Sequence, residues 1–187
     1  MMTMRARILV MMMSCLLVSI GMSAGKRLEM KDITTGAFRG ESMAAVQALS
    51  DGESYAQLSA EARRVVKYSF NTGKEVGVLF DVAKVKGDKL ESIDGYIMSP
   101  DGKRMLIQTN TQRIYRHSFT ATYYIYDLHN NRIVLLSKNG PQQTPLFSPD
   151  GNQIAFVRDN NIFLVKLLYD NAEVQVTKDG RRNEIIN

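Results

Sequence analysis

Ser99-Pro100-Asp101-Gly102 and Ser148-Pro149-Asp150-Gly151 are the stretches whose reading decides the fold. Proline presets φ near −65°, aspartate bonds back to the local backbone, and glycine accepts positive φ, so each tetrapeptide turns a strand back on itself. Ser50-Asp51-Gly52 is a third copy without the proline. The glycines, Gly52, Gly102 and Gly151, recur at an interval of about fifty residues, and a fixed interval of that size marks a repeat architecture.

Outward from each turn the pattern is the same. An apolar or aromatic lead-in (46–49, 96–98, 146–147) precedes it and a second strand comes after it (55–58, 104–108, 153–157). A further strand pair then closes each unit: 65–70 with 75–80, 123–128 with 132–137, and 162–168 with 172–177. Val, Ile, Tyr, Phe and Leu dominate these runs, as in Ile133-Val134-Leu135-Leu136, and only 31–35 and 60–64 read as short helical turns. Four short strands per unit describe the blade of a β-propeller, so the expected fold class is all-β, a partial propeller of about three four-stranded blades. A single β-sandwich with chance-like turns is the competing architecture, and the regular interval argues against it. Propellers close with four to eight blades, so three would leave apolar faces and a strand edge in water, and the sequence reads as part of a larger ring.

The N-terminus reads as a targeting segment. A basic stretch with Arg5 and Arg7 precedes an apolar run, 8–20, and a small-residue exit at Gly21-Met22-Ser23-Ala24. Thirteen helical residues span about 20 Å, short of a hydrocarbon core of roughly 30 Å. The expectation is therefore a signal peptide at 1–24, a mature region at 25–187, and export to the periplasm or cell envelope. A retained membrane anchor is the alternative. Cys15, the single cysteine, lies inside that apolar run, so the mature region has no thiol for a disulfide, a zinc-thiolate site or a nucleophile. The formal charge of +5 includes the two leader arginines and the remainder forms no basic stripe, which argues against a nucleic-acid partner.

No catalytic constellation emerges from the residues. Gly52-Glu53-Ser54-Tyr55-Ala56 has the spacing of a nucleophile elbow, but Gly52 belongs to the repeated turn, so Ser54 reads as structural. His117 and His129, the two histidines, lack metal-ligand spacing, and Asp159-Asn160-Asn161 reads as a tight strand-to-strand turn. Neither a metal nor another cofactor is expected. One segment departs from the repeat: the second unit has an insertion at 109–122, where the third crosses with 158–161. Added loop length on a rigid scaffold is where function concentrates, which singles out Arg113, Tyr115, Arg116 and His117. A solvated basic loop is the plain alternative.

The insertion and the strand after it, Tyr115-Arg116-His117-Ser118-Phe119-Thr120-Ala121-Thr122-Tyr123-Tyr124-Ile125-Tyr126-Asp127-Leu128, resemble the arginine-histidine-serine segment of the dipeptidyl peptidase IV-like serine peptidases of the prolyl oligopeptidase superfamily. The stretches 28–38 and 147–163 carry further likeness. The resemblance implies an eight-bladed propeller joined to an α/β-hydrolase domain and a propeller arginine, matched by Arg116, that holds a substrate carbonyl, with Tyr115 and His117 as neighbours. It also implies removal of N-terminal dipeptides with proline or alanine second, and homodimeric full-length relatives. The family's acidic glutamate motif lies shortly after the segment resembled by Glu184-Ile185-Ile186-Asn187, and its Ser, Asp and His triad lies in the hydrolase domain. The 187 residues are thus expected to contribute substrate positioning without the triad, and to be inactive alone. The alternative is a non-catalytic exported propeller module for protein-protein interaction.

Overall fold

The computed structural model describes residues 28–40, 44–182 and 184. The expected leader at 1–24 and Cys15 lie outside the described residues. The chain divides into two units, Met1–Ser42 and Met43–Asn187. In the first, the one described helix is α1, Met30–Thr34, whose entry is fixed by the Asp32 carboxylate accepting the Glu29 N–H at 3.1 Å. Gly36, at φ +74°, ends it.

The second unit is three antiparallel sheets in sequence. The first holds β1 (Val46–Ala48), β2 (Ser54–Leu58), β3 (Arg64–Ser69) and β4 (Glu75–Asp81) in chain order. The second holds β6 (Gly95–Met98), β7 (Arg104–Arg113), β8 (Phe119–Asp127) and β9 (Arg132–Leu135), with β5 (Lys86–Gly87) added parallel to β9. The third holds β10 (Gln143–Phe147), β11 (Gln153–Arg158), β12 (Asn161–Lys166) and β13 (Ala172–Gln175). Every expected strand is present. Two expectations are corrected. The second sheet has five strands, and 60–64 is a turn with Ala62 at φ 53°, a left-handed conformation that a helical turn does not contain.

The repeated turns share one geometry. Gly52, Gly102 and Gly151 lie at φ +70°, +68° and +70°, and their N–H groups donate to the carbonyls of Leu49, Ser99 and Ser148. Asp51, Asp101 and Asp150 each accept the N–H two residues on. In the two complete copies the serine hydroxyl donates to the aspartate and accepts the N–H of Arg104 or Gln153 at 2.9 Å. The first copy has Leu49 at that place, and Ser54 supplies the hydroxyl to Asp51 instead. Proline is therefore dispensable to the turn, and Ser54, buried at the start of β2, is structural as its sequence context suggests.

Burial explains why these sheets stack. Met105, Leu106 and Ile107 are successive residues of β7 with no exposed surface. Side chains alternate between the faces of a strand, so three consecutive buried residues require a sheet covered on both sides. Met105 and Ile107 pack with Ala56, Val65 and Phe80 of the first sheet. Leu106 packs with Ile154, Phe156 and Val165 of the third. Phe80 meets Tyr126 edge-on at 5.0 Å, and Arg158 bridges the other seam, donating to Ser137 Oγ at 2.7 Å and to Glu173 at 2.6 Å with its guanidinium 4.0 Å from the Phe163 ring centre. Sheets piled face to face in chain order, each an antiparallel meander, are blades of a partial β-propeller. On the far face of the third sheet Leu146, Ala155, Leu164 and Val174 align in one row across all four strands, with Leu146 66% exposed.

Candidate functional site

The insertion of the second unit is not a loop for most of its length. β7 and β8 continue past the end of their neighbours as a two-stranded hairpin, and only 114–118 forms the turn at its end. Polar residues built this extension because pairing with β8 satisfies the backbone whatever the side chains are. The tip is closed by Ile114 N–H and Tyr115 N–H, which both donate to the Ser118 carbonyl at 2.8 and 3.1 Å.

The hairpin bends where its ladder is interrupted. Thr109 pairs with Thr122, and the next aligned pair is Gln112 with Thr120, so β7 has one extra residue. Asn110 takes φ 52° there, and such bulges increase local twist and re-aim the strand beyond them. Asp94 grips the bulge: its Oδ2 accepts Thr111 N–H at 2.8 Å and Thr111 Oγ1–H at 2.7 Å. Gln108 Nε2 donates to Thr111 Oγ1 at 2.7 Å, and the Tyr123 hydroxyl donates to Gln108 Oε1 at 3.3 Å. Burial pushes the Tyr123 phenol up to about 12, so it stays a donor at neutral pH. Across the hairpin, Ala121 exchanges two main-chain hydrogen bonds with the buried Gln142, which leads into the third sheet.

Tyr115, Arg116 and His117 are all exposed on the tip, Tyr115 to 78%. Among the described residues neither the Arg116 guanidinium nor the His117 ring has a hydrogen bond or ion pair of its own. The tip separates two open grooves. One, of about 670 Å³, is lined by Arg113, Arg116 and His117 together with Asp94, Gln108 and Leu58. The other, of about 810 Å³, lies toward Asn139, Gln143 and Asn160 and shares Tyr115 with the first. The sequence brought Arg113, Arg116 and His117 to notice, and the structure places all three on one groove. His129, by contrast, is exposed in the turn between β8 and β9.

Asp94, Gln108 and Thr111 went unread. Their partners lie up to seventeen residues away, and no motif links them. The one signal was Asn110, a residue type that tolerates left-handed φ, inside a polar strand. Among the described residues no cluster of three or more His, Cys, Asp or Glu could hold a metal.

Residues 99–187 match the family model described as the dipeptidyl peptidase IV N-terminal region. Prolyl endopeptidase FAP of Homo sapiens is 32% identical over 163 residues, 87% of this chain and 20% of the relative. Probable dipeptidyl-aminopeptidase B of Emericella nidulans is 46% identical over 85 residues, 44% of this chain and 9% of the relative. The crystal structure of Porphyromonas gingivalis dipeptidyl peptidase 4 superposes with a TM-score of 0.77 at 39% identity, covering 84% of this chain and 23% of that one. The chain thus spans about a fifth of the human relative's length. Taken with three stacked four-stranded meanders and a hairpin carrying Arg116-His117-Ser118, these matches make the chain a dipeptidyl peptidase IV-like N-terminal region.

Proposed function

We propose that these sheets are the substrate-positioning part of an exported dipeptidyl peptidase IV-like serine exopeptidase, and that Arg116 donates to a carbonyl near the N-terminus of a peptide substrate. The bond-breaking groups belong to a hydrolase domain outside the described residues, and the reaction is release of N-terminal dipeptides. The supporting observation is placement: Arg116 stands on the tip of an anchored hairpin, over an open groove, without an ion pair among the described residues to neutralise it. A planar guanidinium offers several N–H donors in a fixed fork, which suits holding an oxygen in one orientation. Such a bond to a charged donor contributes about 1.5–3 kcal/mol once substrate excludes water, enough to select a pose and far short of hydrolysis. Export and homodimerisation of the complete protein belong to the same reading.

The test is steady-state kinetics of a full-length peptidase containing these sheets, on a peptide with a free N-terminus and proline second. Arg116→Ala is expected to lower kcat/KM by roughly tenfold to a hundredfold, the equivalent of that one bond. Unchanged kinetics would remove Arg116 from the site.

A further inference from the structure

We infer that Asp94 is a positioning residue for the Arg116 hairpin, acting through Thr111 at the bulge of β7; the inference rests on Arg116 being the arginine that holds substrate. A two-stranded ribbon projecting beyond its sheet has only its own ladder to fix its direction, and here that ladder is broken between Thr109 and Gln112. Without another restraint the distal half, including the turn at 114–118, would pivot at the break. Asp94 supplies the restraint on the β7 side with two hydrogen bonds to one residue, Thr111. On the β8 side Ala121, which lies between the two aligned pairs, is held by Gln142 through bonds of 3.0 and 2.8 Å.

The anchor is itself tied to the core. Asp94 N–H donates to the Gln108 carbonyl at 2.7 Å, and its neighbour Ile93, 1% exposed, donates to the Ala62 carbonyl at 2.8 Å. Asp94 therefore connects the packed seam between the first two sheets to the base of the hairpin. Gln108, Thr111 and Tyr123 direct their donors along one chain that ends on the carboxylate, an arrangement in which each bond polarises the next. From Thr111 to the tip is about four residues, a lever of roughly 13 Å at about 3.3 Å per residue. A pivot of about 10° would carry the guanidinium about 2 Å, and misplacement of that size is costly where a group must meet a substrate atom. Asp94 acts on substrate through Arg116 and is not a catalytic residue.

The experiment compares Asp94→Ala, Thr111→Val, Thr111→Ser, Arg116→Ala and the Asp94→Ala/Arg116→Ala pair in the full-length peptidase. KM is expected to rise three- to tenfold at nearly constant kcat for Asp94→Ala and Thr111→Val, while Thr111→Ser, which keeps the hydroxyl, retains the parent KM. The double variant is expected to be no worse than Arg116→Ala alone, because a misplaced hairpin costs nothing further once the guanidinium is gone. If Asp94→Ala and Arg116→Ala multiply, or if Asp94→Ala leaves KM unchanged while Arg116→Ala raises it, the positioning role is wrong and the substrate role of Arg116 stands. If Arg116→Ala itself leaves kcat/KM unchanged, the underlying reading fails and takes this inference with it. Should Asp94→Ala not fold, Thr111→Val against Thr111→Ser carries the test.

Discussion

Two adjacent residues of β7 decide whether the second sheet is covered on one face or two. Leu106 and Ile107 are each fully buried, yet they point in opposite directions and belong to different clusters. Truncating either to alanine removes three carbon atoms, about 2.4 kcal/mol at roughly 0.8 kcal/mol per buried methylene. The unrelaxed cavity adds about 24 cal/mol per Å³, which brings the expected loss to about 2–5 kcal/mol for each variant. Leu146→Ala is the control: the residue is 66% exposed on the far face of the third sheet, and its truncation is expected to change stability by about 0.5 kcal/mol or less. Equilibrium urea unfolding tracked by far-ultraviolet circular dichroism measures all three, with unchanged m confirming that the comparison is of like states. In a two-layer sandwich one of the pair, Leu106 or Ile107, would face water. A loss below about 1 kcal/mol for either of them would therefore refute the stacked-sheet argument.

Gly87 lies at φ +109°, and a β-carbon there would stand 2.3 Å from the Ile133 carbonyl oxygen, so Gly87→Ala is expected to detach β5 from β9 at a loss of about 1–3 kcal/mol. Gly77→Ala, with nothing within 4 Å and no positive φ, is expected to be neutral or slightly stabilising in the same unfolding assay. Arg158→Ala removes the guanidinium from Ser137, Glu173 and the Phe163 ring, and is expected to lose roughly 2–4 kcal/mol, since both partners of the ion pair are largely shielded. Acid should destabilise the fold through the repeated turns. The Lys67 ammonium and the Ser54 hydroxyl hold the Asp51 carboxyl below its ordinary 3.8, and the Ser148 hydroxyl does so for Asp150. At Asp101 burial pushes upward but hydrogen bonds from Ser99 and Lys103 outweigh it. Folded values lowered in this way contribute stability above the unfolded value of about 3.8 and lose it as pH falls through the folded values. Unfolding free energy measured against pH should be level above about pH 5 and fall below about pH 4, with a shallower fall in Asp51→Asn.

What the sequence disclosed came from local chemistry. The turn glycines, the apolar alternation of β11 and β12, and the Asp159-Asn160 turn, with both residues at positive φ, depend on near neighbours and were readable. β5 was not, because Lys86-Gly87 has no apolar pattern and its partner, Arg132-Ile133, lies on the far side of the whole second unit. Thr109–Arg113 read as loop for a related reason: a ribbon that runs on past its sheet needs no continuous hydrophobic face, only backbone partners. The same distance problem hid the bulge anchor. Asp94 has no motif around it, and its role exists only once the fold brings Thr111 within reach. The sequence put Arg116 on the inserted segment, but it gave no sign of the groove that Arg116 lines, which exists only once Leu58, Asp94 and Gln108 are brought beside the tip.

The most direct measurement is a crystal structure of a full-length peptidase containing these sheets, bound to a non-hydrolysable peptide with a free N-terminus. An Arg116 Nη within about 3 Å of a carbonyl oxygen of that peptide, with the second sheet still covered by the first and third, is the predicted result. A peptide bound with its carbonyls beyond reach of Arg116, and the hairpin turned away from it, would contradict the account.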